Sequence, residues 1–283
     1  SMVLIASRKI DIRVSTVPTI QGEKIVMRML YQDDKMMQLG QLGLAKYILH
    51  PYKRMVQSNG GIILVTGPTG SGKTTTLYAS LAEIDNEARN IITIEDPVEY
   101  ELNGINQIPV NPKRGLTFAS GLRSILRQDP DIIFVGEIRD GETADIAIRS
   151  ALTGHLIFST IHTNDAVSSI GRLIDMGVEP YLVASVLEGA LAQRLGRRIC
   201  EGCKKQVPLS DDLSHRLNTE ERAMFSNGMW IGEGCEKCNN SGSKGRVGFF
   251  ELVVVNAALR AAISDNRSAA DLTACLSQSH ITM

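Results

Sequence analysis

A glycine-rich stretch set directly behind an apolar run limits the folds open to this chain more than any other feature. Ile62-Ile63-Leu64-Val65 leads into Gly67-Pro68-Thr69-Gly70-Ser71-Gly72-Lys73-Thr74, which matches G-x-x-x-x-G-K-[ST] at every fixed position. Between a buried strand and a helix, glycines let such a loop curl until its backbone N–H groups face an anion. The positive end of the following helix points at the same place. A phosphate site is therefore expected over Gly67 to Thr75. Lys73 is expected to reach the β- and γ-phosphates of a nucleotide and Thr74 to offer its hydroxyl to Mg2+. Thr75 and Thr76 follow as further donors in the first helical turn.

Beyond this loop, apolar strand-like runs at Asn90 to Ile94, Ile132 to Val135 and Leu156 to Ile161 alternate with helical stretches. That order is the mark of an α/β domain with a mainly parallel sheet. Ahead of it, Ile10 to Val14 and Lys24 to Leu30 alternate apolar and polar residues around a turn region at Pro18 to Gly22, the pattern of a half-buried hairpin. Two strands alone are marginal. The hairpin is therefore read as the remnant of a second domain, joined through the polar stretch Tyr31 to Gln41. After Gly196 the sequence turns to short segments rich in Cys, Gly, Lys and Asn, and from Phe249 a short apolar strand, Leu252 to Val255, precedes helical sequence. Ser1 ahead of Met2 reads as a scar of tag removal, and the hairpin starts without a lead-in, so the sequence is expected to be a piece of a longer chain.

Hydrolysis needs more than a phosphate loop: a carboxylate linked to the metal, and a group that orients the attacking water. Two strand ends offer them. Ile132 to Val135 ends in Gly136-Glu137-Ile138-Arg139-Asp140, which places Glu137 where α/β sheets put their ligand chemistry. Ile91 to Ile94 ends in Glu95-Asp96-Pro97-Val98-Glu99, three carboxylates crowded on one strand end. Sequence leaves open which of Glu137, Glu95 and Glu99 holds the metal, directly or through water, and which serves the water. A further strand is flanked by His155 and His162, each able to be structural or to sense the γ-phosphate. Arg123, Arg127 and Arg139 lie in the same stretches and are candidates to pair with phosphate or with these acids.

Cys200-x-x-Cys203 and Cys235-x-x-Cys238 have the spacing of a zinc site with four thiolates. With no histidine and no open position implied, the zinc is expected to be structural. Cys275 stands apart and is read as a small buried apolar residue.

Composition removes some partners. Thirty basic against thirty-one acidic residues give a formal net charge of −1, and aromatics make up 5%, so no nucleic-acid partner is expected. A nucleic-acid-binding zinc-ribbon P-loop protein is kept as an alternative on Arg197, Arg198, Lys204 and Lys205 beside the first cysteine pair. The apolar runs fall far short of the roughly 20 residues of a membrane span and no signal peptide is read, so a cytoplasmic protein is expected.

Taken together, the phosphate loop, Ile92-T-I-E-D-P-V-Glu99, Leu126-R-Q-D-P-D-I-I-F-V-G-E-I-R-Asp140, Thr153-G-H-L-I-F-S-T-I-H-T-N-D-Ala166 and the paired C-x-x-C resemble the secretion ATPase superfamily, in its type II secretion and type IV pilus assembly branch. The resemblance implies a RecA-like P-loop ATPase core at 45–196 and a tetracysteine zinc subdomain at 197–248. It also implies a C-terminal strand and helical part at 249–283, a linker at 34–44, and at 1–33 the remnant of an α+β, PAS-like second N-terminal domain. By the same likeness residues 92–99, 132–137 and 155–162 are an Asp box, a Walker B stretch and a His box. Glu95, Glu99, Glu137 and His162 are then catalytic candidates, and Arg13, Arg28, Arg123 and Arg139 stabilise phosphate charge. It further implies ATP, Mg2+ and Zn2+ as cofactors, a homo-hexamer, and an inner-membrane platform protein as partner, with the motor held peripherally at that membrane. Retraction and conjugation motors of the superfamily share these catalytic residues and generally lack the zinc module.

Overall fold

A computed structural model describes the backbone of residues 2–5, 8–31, 37–84, 87–276 and 280–281, and the side chains of 12, 14–27, 37–84 and 87–276. Three strands open the chain: β1 (Met2–Ile5), β2 (Arg8–Thr19) and β3 (Gly22–Tyr31), antiparallel in the order β1-β2-β3. The expected hairpin is present with two corrections. Its strands run up to Thr19 and Gly22, so Pro18 lies in β2 and Ile20-Gln21 make the turn. Its burial is also uneven: Ile12 is half-buried, whereas every described side chain from Val14 to Met27 is exposed, because the outer part of a two-stranded ribbon has only itself to cover its faces.

The main sheet has eight strands in the order β13-β12-β9-β4-β8-β7-β5-β6. Its members are β4 (Gly61–Thr66), β5 (Ile91–Glu95), β6 (Asn106–Pro109), β7 (Ile132–Val135), β8 (Leu156–Ile161), β9 (Leu187–Ile199), β12 (Ser243–Val254) and β13 (His280–Ile281). From β9 to β6 every neighbouring pair is parallel, whereas β12 and β13 run antiparallel at the other edge. The expected parallel core is thus observed. The expected strand at Leu252 to Val255 is the end of a longer one, and β9 is an addition to the expected set.

Helices cover both faces. On one side lie α1 (Lys46–Val56) and α2 (Lys73–Leu81), and on the other α3 (Phe118–Ile125), α4 (Gly141–Leu152), α5 (Ser168–Asp175), α6 (Pro180–Val186), α9 (Ala257–Ser264) and α10 (Ala269–Ala274). The alternation of side chains along a strand divides the apolar runs between the two cores. Ile62, Leu64, Ile133, Val135 and Ile157 face α3 to α6, while Ile63, Val65, Ile132, Phe134, Leu156 and Phe158 face α1 and α2. Leu39 and Leu44, in the stretch expected to be a linker, are buried in the second core, and Cys275 is half-buried against the first.

Strands β9 and β12 outrun the sheet and carry the cysteines at their far ends, so the positions 196/197 and 248/249 fall inside these strands. Between them lie a small antiparallel pair, β10 (Lys204–Val207) with β11 (Met229–Gly232), and two short helices, α7 (Asp211–Arg216) and α8 (Thr219–Met224).

Phe158 is fully buried at the centre of the sheet. Phe158→Ala is expected to lower unfolding stability by about 3–5 kcal/mol in urea titrations, since it leaves a cavity between the sheet and the helices packed on it that hydrogen-bonded strands cannot move to fill. A loss under about 1 kcal/mol would contradict this core.

Candidate active site

Because β4, β5, β7 and β8 are parallel, their carboxyl ends bring four loops to one edge. The phosphate loop leaves β4 and turns into α2 at Gly72, which is left-handed with φ +89°. Gly67 is held tighter still: its φ is +142° and a Cβ there would strike the carbonyl oxygen of Gln193 on β9. Pro68, Thr69 and Gly70 form the exposed outside of the loop, and Ser71 is buried. Lys73 folds back across it, its Nζ donating to the carbonyls of Gly67 at 2.8 Å and Pro68 at 3.1 Å. Burial lowers the Lys73 pKa from its ordinary value, and the charge of Glu137 partly opposes that shift.

A cleft of about 150 Å³ opens beside this lysine. It is lined by Lys73, Thr74, Glu95, Asp96, Glu99, Glu137, Thr160 and His162, so the two acid-bearing strand ends and the His162 stretch do meet the phosphate loop. The backbone around Glu137 is fixed by β8: Thr160 Oγ1 donates to the Gly136 carbonyl at 2.7 Å, and Ile138 N donates to the Thr160 carbonyl at 3.0 Å. The Glu137 carboxylate accepts from Arg139 and lies 3.5 Å from His162 Nε2. Arg139 also stands 3.9 Å from Asp96, and its hydrogen bond to Glu137 raises its pKa further. The His162 loop is tied to the phosphate strand through Thr66 Oγ1, which accepts from Thr163 N at 2.9 Å.

Glu95 occupies a different position from a loop acid. It follows Ile91 and Thr93 on the face of β5 turned to α2 and is 2% exposed. Tyr78 of α2 donates to Oε2, and Thr93 Oγ1 and Gln107 Nε2 donate to Oε1 at 2.6 and 3.1 Å. Burial, then the hydrogen bond to Glu95, pushes the Tyr78 phenol well above its ordinary range and keeps it a donor. Glu99 is half-buried at the cleft, and its backbone N–H donates to Tyr78 Oη at 3.3 Å.

Other candidates stand elsewhere. Arg123 is exposed and pairs with Glu142 of α4 at 2.7 Å, outside the residues lining the cleft. Arg127 is exposed and also outside the lining set. His155 lies at the opposite, amino end of β8, with Nδ1 2.8 Å from the Ser150 carbonyl. Arg13 and Arg28 are cross-strand partners in the β2–β3 register, and their side chains lie outside the described residues.

A second, larger cleft of about 410 Å³ borders the other flank of the loop at Gly72, Thr75 and Thr76, walled by Met37, Gln41, Leu42, Leu195, Arg246 and Phe250. Sequence reading missed this cleft, together with Tyr78, Gln107 and Gln193. The available signal was polarity out of place: Tyr78 and Gln193 are polar groups on otherwise apolar faces.

The four cysteines converge as expected. Sγ–Sγ separations are 3.9 Å for Cys200–Cys235, 3.8 Å for Cys203–Cys238 and 3.7 Å for Cys235–Cys238, and all four sulfurs lie within 4.8 Å of one another. Zn–S bonds of about 2.3 Å in a tetrahedron put sulfurs roughly 3.8 Å apart, so the set fits zinc and is too open for disulfides. Backbone N–H groups of Gly234 and Cys235 donate to the sulfurs of Cys203 and Cys238, each at 3.3 Å, as thiolates require.

The fold and this loop define an α/β protein of the P-loop class. The chain belongs to the type II/IV secretion system protein family, whose pattern it matches over residues 1–283. It is 51% identical over 268 residues to type II secretion system protein HxcR of Pseudomonas aeruginosa, covering 95% of this chain and 53% of that protein. To type II secretion system ATPase E of Vibrio cholerae it is 49% identical over 256 residues, 90% of this chain and 50% of that one. To the type IV pilus assembly ATPase PilB of Thermus thermophilus it is 49% identical over 263 residues, 93% of this chain and 30% of that one. The chain thus spans about half the length of the first relatives it matches. Among solved structures it resembles the pilus retraction motor PilT with bound ADP, with a TM-score of 0.69 and 30% identity over 95% of this chain and 67% of that one. The ATPase DotB of Legionella pneumophila, at 21% identity and a TM-score of 0.67, shares the fold.

Metal analysis of the purified protein is expected to return one zinc per chain, and Cys235→Ser to abolish it and lower the melting temperature. Retention of zinc by Cys235→Ser would remove these cysteines as its ligands.

Proposed function

We propose that this chain is the motor portion of a ring-forming ATPase that hydrolyses MgATP to drive type II secretion or type IV pilus assembly. The observation that carries the reading is the single cleft in which Lys73 and Thr74 of the phosphate loop face Glu99 and Glu137. In this reading the triphosphate lies along the loop. Lys73 leaves the carbonyls of Gly67 and Pro68 for the β- and γ-phosphate oxygens, stronger acceptors because they are charged. The nucleoside extends past Thr75 into the larger cleft, against Leu42, Leu195 and Phe250.

The Thr74 hydroxyl and the Glu137 carboxylate, both oxygen donors on one cleft, are of the kind a hard divalent cation takes, and would hold Mg2+ directly or through water. When bound, the ion neutralises charge on the β- and γ-phosphates. Geometry divides the two remaining acids. Glu95 has both oxygens engaged by buried protein donors and is assigned to holding β5 against α2, while Glu99 is assigned to orienting the attacking water. His162, beside Glu137, reports on the γ-phosphate, and Arg139 exchanges its acid partners for phosphate charge. Arg13 and Arg28, paired in register, would reach the phosphates as the family likeness implies. Arg123 would need to leave Glu142 to join them.

The 45–196 core is read as RecA-like, with a structural zinc subdomain at 197–248, a C-terminal part at 249–283 and an N-terminal remnant at 1–33 joined by a linker at 34–44. A homo-hexamer acting on an inner-membrane platform protein, peripherally at the cytoplasmic face, completes this reading and rests on the motif resemblance to the secretion ATPase superfamily. The tetracysteine cluster favours the assembly and secretion branch over a retraction motor.

Mg-dependent ATP hydrolysis is expected to rise with hexamer formation and to vanish in Lys73→Ala. A full-length hexamer that binds ATP without turning it over would overturn the motor reading. Glu99→Gln is expected to cut kcat at least about a hundredfold with nucleotide affinity kept, the size of a lost proton-handling group. Glu95→Gln should instead lower thermal stability, because its amide leaves one buried donor unmatched. The reverse pattern would exchange the two assignments.

A further inference from the structure

Strand β9 hydrogen-bonds the phosphate loop through the side chain of Gln193. Gln193 is 2% exposed in a run otherwise made of Ala190, Leu191 and Ala192. Its Oε1 accepts from Thr76 Oγ1 at 2.7 Å, in the first turn of α2, and its Nε2 donates to the Ser71 carbonyl at 2.6 Å. Thr76 is 1% exposed, so neither bond has water as a ready substitute. The main-chain oxygen of the same residue occupies the space a Cβ on Gly67 would need, and Nε2 would lie 3.1 Å from a Cβ on Gly72.

A loop whose N–H groups point inward at an anion must turn carbonyls outward, and a buried carbonyl left without a donor is costly. The Gln193 amide supplies that donor at Ser71, and its other end fixes the start of the helix whose dipole faces the phosphate. Resting on the reading that the loop binds a nucleotide, we propose that Gln193 is a positioning residue that holds the phosphate loop in its anion-binding shape before nucleotide arrives. It touches no phosphate itself and acts through Ser71 and Thr76. Affinity for nucleotide therefore depends on β9, an element with no part in the acid cleft.

The test is MgADP titration by calorimetry on wild type, Gln193→Leu, Thr76→Val and the double variant, with hydrogen exchange of the loop amides followed in the same proteins. Gln193→Leu keeps the volume and removes both bonds, and should weaken MgADP about tenfold to a hundredfold. Amides of residues 70–74 should exchange faster in the nucleotide-free protein while β7 and β8 keep their protection. Thr76→Val should weaken binding less, and the double variant no more than Gln193→Leu alone. Binding by Gln193→Leu within twofold of wild type overturns the proposal. So does weakening that comes with lost protection across the whole sheet, which would mark a general packing role. A wild-type chain that binds no MgADP would overturn the nucleotide reading instead, and this inference with it.

Discussion

Parallel pairing of β4 with β8 on one side and β9 on the other is the interaction on which the rest of this structure depends. Parallel strands all end at the same edge, so one decision about direction delivers the phosphate loop, the Glu95 and Glu137 strand ends and the His162 loop to a single place. Each side chain there is then set by a local bond: Thr160 to the Gly136 carbonyl, Thr66 to Thr163, Tyr78 to Glu95. The antiparallel edge of β12 and β13 adds no acid to this cleft, but β12 gives β9 its second partner and lets it run on beyond the sheet.

Much of this is legible in the amino-acid sequence. A motif with fixed glycines and four apolar runs of strand length specified a parallel α/β core, because each run is buried on both faces and shows no polar alternation. The acids and the cysteines could be found for the same reason: their chemistry demands a residue type at a spacing. Strand β9 was not legible in that way. Leu187-Glu-Gly-Ala-Leu-Ala-Gln-Arg-Leu is made largely of good helix formers, and only the free flank of β4 beside it decides for a strand. The role of Glu95 was hidden too, since sequence shows three acids within five residues and not that the first points at α2. The hairpin shows the opposite failure. Its alternation predicts a half-buried ribbon, which Ile12 keeps and the outer part from Val14 to Met27 does not.

Glu95 and Glu137 illustrate how one kind of side chain is put to two uses. A carboxylate surrounded by Tyr78, Thr93 and Gln107 is solvated by protein and bound to one conformation. Glu137, bonded to an exposed arginine and close to an exposed histidine, has partners that can leave. The difference lies in the partners' burial, and it makes Glu137 the acid able to respond to an arriving charge.

The length of β9 has a mechanical consequence. From Gln193, against the phosphate loop, the strand continues unbroken to Ile199, one residue before Cys200, and six residues of strand span about 20 Å. Paired with β12 along that path, with a shift in register near its tip between Ser243 and Arg246, it forms a two-stranded arm rooted beside the loop. A tilt of about 5° at Gln193 would carry the cysteine end through nearly 2 Å, by the same strand rise. A change of angle at the root of this arm is therefore converted into a larger displacement at its cysteine end.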